Sequence, residues 1–146
     1  MKAIYFSLFL FFGIVSFSPA NDSPLISDVV KHTNQFRKSK GMPPLTDRED
    51  LNKIAQKHSE DMAKGRVAFG HGGFNKRFSE ARRKVDDFIS FAENVAYGPT
   101  TGKEVVTMWK NSAGHRSNLL GKFKYIGVGT ATDRQGRIYY TQVFVN

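Results

Sequence analysis

No cysteine occurs anywhere in the 146-residue chain. That excludes a disulfide scaffold and a thiol nucleophile, and it leaves the fold to be held by packing. Acid is scarce as well: 13 Asp and Glu stand against 22 Lys and Arg, for a formal net charge of +9. A chain this basic is drawn to anionic partners such as polysaccharide or lipid head groups. Nucleic acid is not expected among them, because no nucleic-acid module is present and the aromatics are not interleaved with the charges. Repeats, low-complexity tracts and long linkers are missing too, so the length fits one domain.

The long apolar run is Ala3–Val15, behind Lys2 and ahead of Ser18-Pro19-Ala20. A positive start, an apolar centre and small residues at the cut describe a secretory signal peptide over residues 1–20. The run is shorter than the roughly 20 residues that cross a bilayer, so stable membrane insertion is not expected. An uncleaved anchor is the alternative reading. The chain is thus read as exported, either secreted or periplasmic, with residues 21–146 as its domain, long enough to bury a core unaided.

Within that domain, Ser27 is a candidate N-cap for a helix over Asp28–Lys40, with Val29, Val30, Thr33 and Phe36 at helical spacing. Thr46-Asp-Arg-Glu49 reads as a capping box for a second helix whose apolar face is Leu51, Ile54, Ala55, His58 and Met62, closed by Gly65. "HGGFNKRF" reads as a glycine-rich loop leading into a short basic helix near Lys76–Lys84, whose charges read as a solvated face. "DFISFAENVAYG" is extended. Thr101-Gly-Lys-Glu104 is a second capping box, for a helix through Val105, Val106 and Trp109 that breaks at Ala113-Gly114. Two strand-like runs, "FKYIGVGTATD" and "RIYYTQVFVN", flank a polar, glycine-containing hairpin turn. Helices first and a hairpin last give an α+β class.

Three residues stand out chemically. His71 lies between glycines in a polar loop, with no helix face to pack against. Glu93 is carried into apolar surroundings, among Phe91, Ala92, Val95 and Ala96, where a carboxylate must be paired, hydrogen-bonded or neutralised. His115 follows the glycine break. If the three converge, they form a two-histidine, one-carboxylate set suited to zinc or another divalent metal such as Mg or Ca, with a position left open. The spacing, 22 residues from each to the next, matches no compact motif, so three separate hydrogen-bonded residues remain the alternative. His58 reads as a structural histidine at the edge of a helical face, and His32 as an exposed one.

Five blocks in order, "FGHGGF", "FAENVAYG", "MWKNSAGHRSNLL", "YIGVGTATD" and "YYTQVF", resemble the CAP superfamily. This group comprises cysteine-rich secretory, antigen 5 and pathogenesis-related 1 proteins, also called SCP-like extracellular proteins. The resemblance covers nearly all of 26–146. It implies a three-layer α-β-α sandwich with a small antiparallel sheet and a cleft lined by two histidines and two acids. His71, His115 and Glu93 match three of these, while Ser112 stands at the place of the second acid, as in the cysteine-free bacterial branch. Ala92 replaces the glycine usual before the glutamate. By the same resemblance Asn94 and Arg116 line the cleft, Trp109 packs beneath the corner, Gly114 turns His115 toward the His71 loop, and Asn118 fixes the chain leaving it.

These readings leave three function classes. The first is an extracellular binding module for a small molecule, a lipid or a wall component. The second is a metal-dependent hydrolase with Glu93 as base. The third is a cationic factor acting on a host or competitor. The missing second acid and the lack of a nucleophile beside a base favour binding over catalysis.

Overall fold

The computed structural model describes residues 23–146; the expected signal peptide lies outside them. Helix α1, Pro24–Ser39, begins four residues before the expected start. Ser23, not Ser27, is its N-cap, accepting the Leu25 N–H at 3.3 Å, and Pro24 occupies the first turn, where a missing donor costs nothing. Helix α2 is Glu49–Ala63, but Thr46 does not cap it. Thr46 and Asp47 instead form a short strand β1, held by Thr46 N–H to Lys124 O (2.8 Å) and Arg48 N–H to Ile126 O (3.0 Å). Pairing to a distant strand wins over the local box, and Asp50 takes the Leu51 N–H in the first turn.

Helix α3 is Phe74–Lys84, β2 is Phe91–Tyr97 and α4 is Gly102–Lys110. The expected box at α4 forms: Thr101 Oγ1 accepts from Glu104 N–H, and Glu104 accepts from Thr101 N–H at 3.1 Å. The chain then breaks at Asn111–Ser112, not at Ala113-Gly114. Ser112 is extended and opens α5, Ala113–Leu119, so Gly114 and His115 lie inside a helix. Serine is a ready N-cap residue and alanine a good helix former, which sets the boundary one step earlier than the glycine suggested. Strands β3, Tyr125–Thr132, and β4, Ile138–Val145, form the expected hairpin.

The sheet order is β1-β3-β4-β2, antiparallel throughout except that β1 runs parallel to β3. It lies between two helical layers. On one face Ile126, Val128, Tyr140 and Phe144 pack with α1, α4 and α5 around Trp109; on the other Val143 and Val145 meet Leu51, Ile54 and Ala55 of α2 and Ala81 of α3. Sheet edges invite pairing with other chains, and here helix side chains occupy them. Asn52 and Gln56 of α2 accept the Val128 and Thr130 N–H groups, at 2.6 and 3.0 Å. At the opposite edge Trp109 Nε1 donates to Val95 O and Asn118 Nδ2 to Glu93 O, both at 3.2 Å. The β2 edge is therefore covered by side chains of α4 and α5.

Candidate functional site

Residues 91, 93, 95 and 97 of β2 face the α2–α3 layer, because side chains alternate along a strand. Phe91 packs against Phe74 at 5.2 Å between ring centres, so α3 sits directly over the start of β2. This carries Arg77 onto Glu93. Its Nε donates to Glu93 Oε2 at 2.5 Å and its Nη2 to Oε1 at 2.7 Å, a two-pronged charged pair with the carboxylate fully enclosed. His71 Nδ1 lies 2.8 Å from the same Oε1. A carboxylate so surrounded accepts that bond, which puts the His71 proton on Nδ1 and leaves Nε2 as an uncommitted acceptor. The His71 side chain is 49% exposed.

A second imidazole supports the arrangement from behind. His58, buried on α2, donates from Nε2 to Gly70 O (2.8 Å) and so presents Nδ1 as acceptor to Arg77 Nη1 (3.2 Å). Arg77 Nη1 also donates to Gly72 O at 2.8 Å. Gly70 and Gly72 flank His71, so one arginine and one histidine hold its loop at both sides. Burial is the main cause that pushes the His58 pKa below the ordinary imidazole value; the charge of Arg77 adds to it, while Gly70 O and Glu93 oppose it. A group neutral in the fold and protonated first in the unfolded chain contributes stability above about pH 6.5, lost as pH falls through its lowered folded value. Urea midpoints are therefore expected to drop between roughly pH 7.5 and pH 5.5, and to drop less in His58→Gln. Equal slopes for the two proteins would refute the assignment.

His115 comes from the other layer. Its carbonyl accepts from Asn94 Nδ2 at 3.3 Å, and Asn94 is tied in turn to Gln142 and Asn118 at 3.2 and 2.9 Å. Its Nδ1 is buried without a hydrogen-bond partner. Burial first, and then the nearby His71 imidazole, lower its pKa and favour the neutral ring. The structure thus gathers His71, Glu93 and His115 around the β2 edge, with Glu93 already committed. Among the described residues no three His, Asp or Glu side chains are arranged to hold a metal ion. What the geometry presents is two imidazoles, His71 oriented by a carboxylate at its Nδ1 and His115 with an Nδ1 that no hydrogen bond occupies.

The remaining expected residues fall into place around these. Trp109 is completely buried core, its ring 6.5 Å from that of Tyr140. Asn94, expected to line the cleft, is also completely buried and acts as the tie between α5 and the sheet. Arg116 Nη1 donates to Lys110 O at 2.9 Å, satisfying a carbonyl at the end of α4. Ser112 caps α5 without a side-chain bond, and Gly114 is exposed on its first turn. His32, expected as exposed, is half-buried against Asp28 at 3.2 Å. Arg77 was missed, having been read within a solvated basic face. Its signal lay in the periodicity: Phe74, Arg77, Phe78 and Ala81 share one helical face, and buried Glu93 required a cation.

Residues 30–144 match the family described as CAP, the cysteine-rich secretory protein family. The chain belongs to the CAP family. It is 36% identical over 131 residues to the Bacillus subtilis protein YkwD, a match spanning 88% of this chain and 49% of that one. With the human Golgi-associated plant pathogenesis-related protein 1 it shares 31% identity over 127 residues, 75% of each. Among solved CAP structures, an extracellular SCP-domain protein of Bacillus anthracis superposes with a TM-score of 0.71 at 31% identity, over 83% of this chain and 40% of that one. A cysteine-rich secretory protein of Staphylococcus aureus gives 0.67 at 27%, over 87% and 40%. The CAP chain here thus spans about half the length or less of these bacterial relatives, and it has the fold without the cysteines for which the family is named.

Proposed function

We propose that this CAP protein is an exported binding module whose cleft takes a divalent ion, zinc in the first instance, between His71 and His115, and with it a small anionic ligand. The observation that carries the reading is the commitment of Glu93. Both its oxygens are occupied by Arg77 and His71, so it orients an imidazole and is not free to take a proton from water. Among the described residues no hydroxyl is hydrogen-bonded to either imidazole, so no activated nucleophile of the serine–histidine kind stands beside them. Held in its Nδ1–H form, His71 offers Nε2; His115 offers a part-buried imidazole whose enclosed Nδ1 makes no hydrogen bond. A divalent ion supplies such a pair with open positions for water or an anionic group. Export is supported by the apolar leader of the sequence and by the likeness to a protein described as extracellular.

Calorimetric titration with zinc is expected to give one ion per chain. Affinity should be lost in His71→Ala and weakened about 10- to 100-fold in Glu93→Gln, whose amide holds the ring less firmly. Absence of binding at millimolar zinc refutes the proposal. Metal-dependent turnover that disappears in His71→Ala would replace it with the hydrolase reading.

A further inference from the structure

Four large apolar side chains are notably exposed among the described residues, and two of them touch each other beside the site: Phe69, 49% exposed, and Tyr97, 45% exposed. Their rings meet edge to face at 4.8 Å, and Tyr97 stacks on Tyr139 at 5.6 Å with 26° between the planes. Phe69 is two residues from His71, and Tyr97 lies on the same strand face as Glu93, about 13 Å along it. Loop and strand thus run side by side, with an aromatic shelf at one end and the histidine at the other. Beyond Tyr139 the shelf runs into a cleft of about 430 Å³ between the end of α2 and the β3–β4 turn. Its lining includes Lys64, Thr132, Asp133, Arg134 and Gln135.

We infer that this shelf and cleft form a carbohydrate site for a short oligosaccharide. Exposed rings offer an apolar face to the C–H side of a sugar ring, while the cleft supplies donors and acceptors for hydroxyls. A mostly apolar pocket with a few polar groups is the rule for drug-like or lipid ligands. Here the balance is reversed, since Tyr139 and Met62 are the large apolar side chains in a lining otherwise polar or small. The shelf is open to solvent, whereas an alkyl chain is stabilised by enclosure on several sides. The backbone that shapes the cleft is fixed: Asp133 caps the turn through Gln135 N–H and Arg137 N–H, both at 2.9 Å, and Arg137 Nε closes onto its carboxylate at 2.7 Å. Asp133 and Arg137 are thereby occupied, leaving Arg134, Gln135 and Thr132 to meet the ligand. This site does not depend on the two imidazoles holding a metal.

The test is a two-dimensional NMR titration of the full protein with chitotriose and, in parallel, cellotriose. Saturable shifts are expected at Phe69, Tyr97, Tyr139 and Arg134–Gly136 with at least one probe. Affinity should fall at least about tenfold in Phe69→Ala/Tyr97→Ala. Both rings are half exposed, so that variant should keep the spectrum of the fold. Gln135→Ala, on the turn, should weaken binding with the rings intact. His71→Ala should abolish zinc binding and leave the sugar shifts unchanged, which separates failure of one site from failure of the other. No saturable shift with either trisaccharide, or unchanged affinity in the double variant, overturns the inference. So does octyl phosphate occupying the shelf while the sugars do not.

Discussion

Arg77→Met is expected to destabilise the protein by about 3–5 kcal/mol, the cost of leaving a buried charge without its partner. The Glu93 side chain has no solvent exposure, and without Arg77 its only remaining side-chain partner among the described residues is His71. The same arginine also gives up its bonds to His58 Nδ1 and Gly72 O, so the loop carrying His71 loosens at its Gly72 flank. The double variant Arg77→Met/Glu93→Leu should recover most of the loss, because removing both members of a buried pair is far cheaper than removing one. Urea unfolding of the parent, both single variants and the double variant measures the coupling directly. A loss under about 1 kcal/mol in Arg77→Met, or no recovery in the double variant, would show that the guanidinium is not what holds the charge.

Gly129→Ala is the second large effect. An ideal Cβ at Gly129 would stand 2.1 Å from Gln56 N and 2.3 Å from its Cα; at Gly127 it would stand 2.4 Å from Leu51 C. These neighbours are helix backbone, which cannot swing aside as a side chain can. Overpacking usually costs about 1–3 kcal/mol, and a clash of backbone with backbone belongs at or above the top of that range. Moving α2 away also breaks the bonds of Gln56 with Thr130, at 2.9 and 3.0 Å, and reopens the β3 edge. His58 travels with the helix, so zinc affinity should fall with stability. Thermal unfolding and zinc titration of Gly129→Ala check both; a variant as stable as the parent would mean that the helix has slack the contacts deny.

Much of this was legible before the fold was known, and the failures share a cause. The Thr101–Glu104 box, the buried face of α2 and the hairpin were read correctly because each rests on groups a few residues apart. The Thr46 box was an equally good local signal, and it failed because Lys124 and Ile126 claimed that backbone. Glu93 was correctly suspected of needing a partner, but nothing near it in the chain named Arg77.

The amino-acid sequence by itself determined where four of the five helices among the described residues lie, to within a few residues, which of their faces are apolar, and that two histidines and one carboxylate are available. Periodicity and capping act within one or two turns, so they survive without tertiary context. Only the tertiary structure decided how those residues are used: that Arg77 occupies the carboxylate, that His71 is thereby fixed in one tautomer, and that Phe69 meets Tyr97 beside it. Burial and charge pairing depend on which distant segments share a layer, and that is set by packing across the sheet, not by neighbours along the chain.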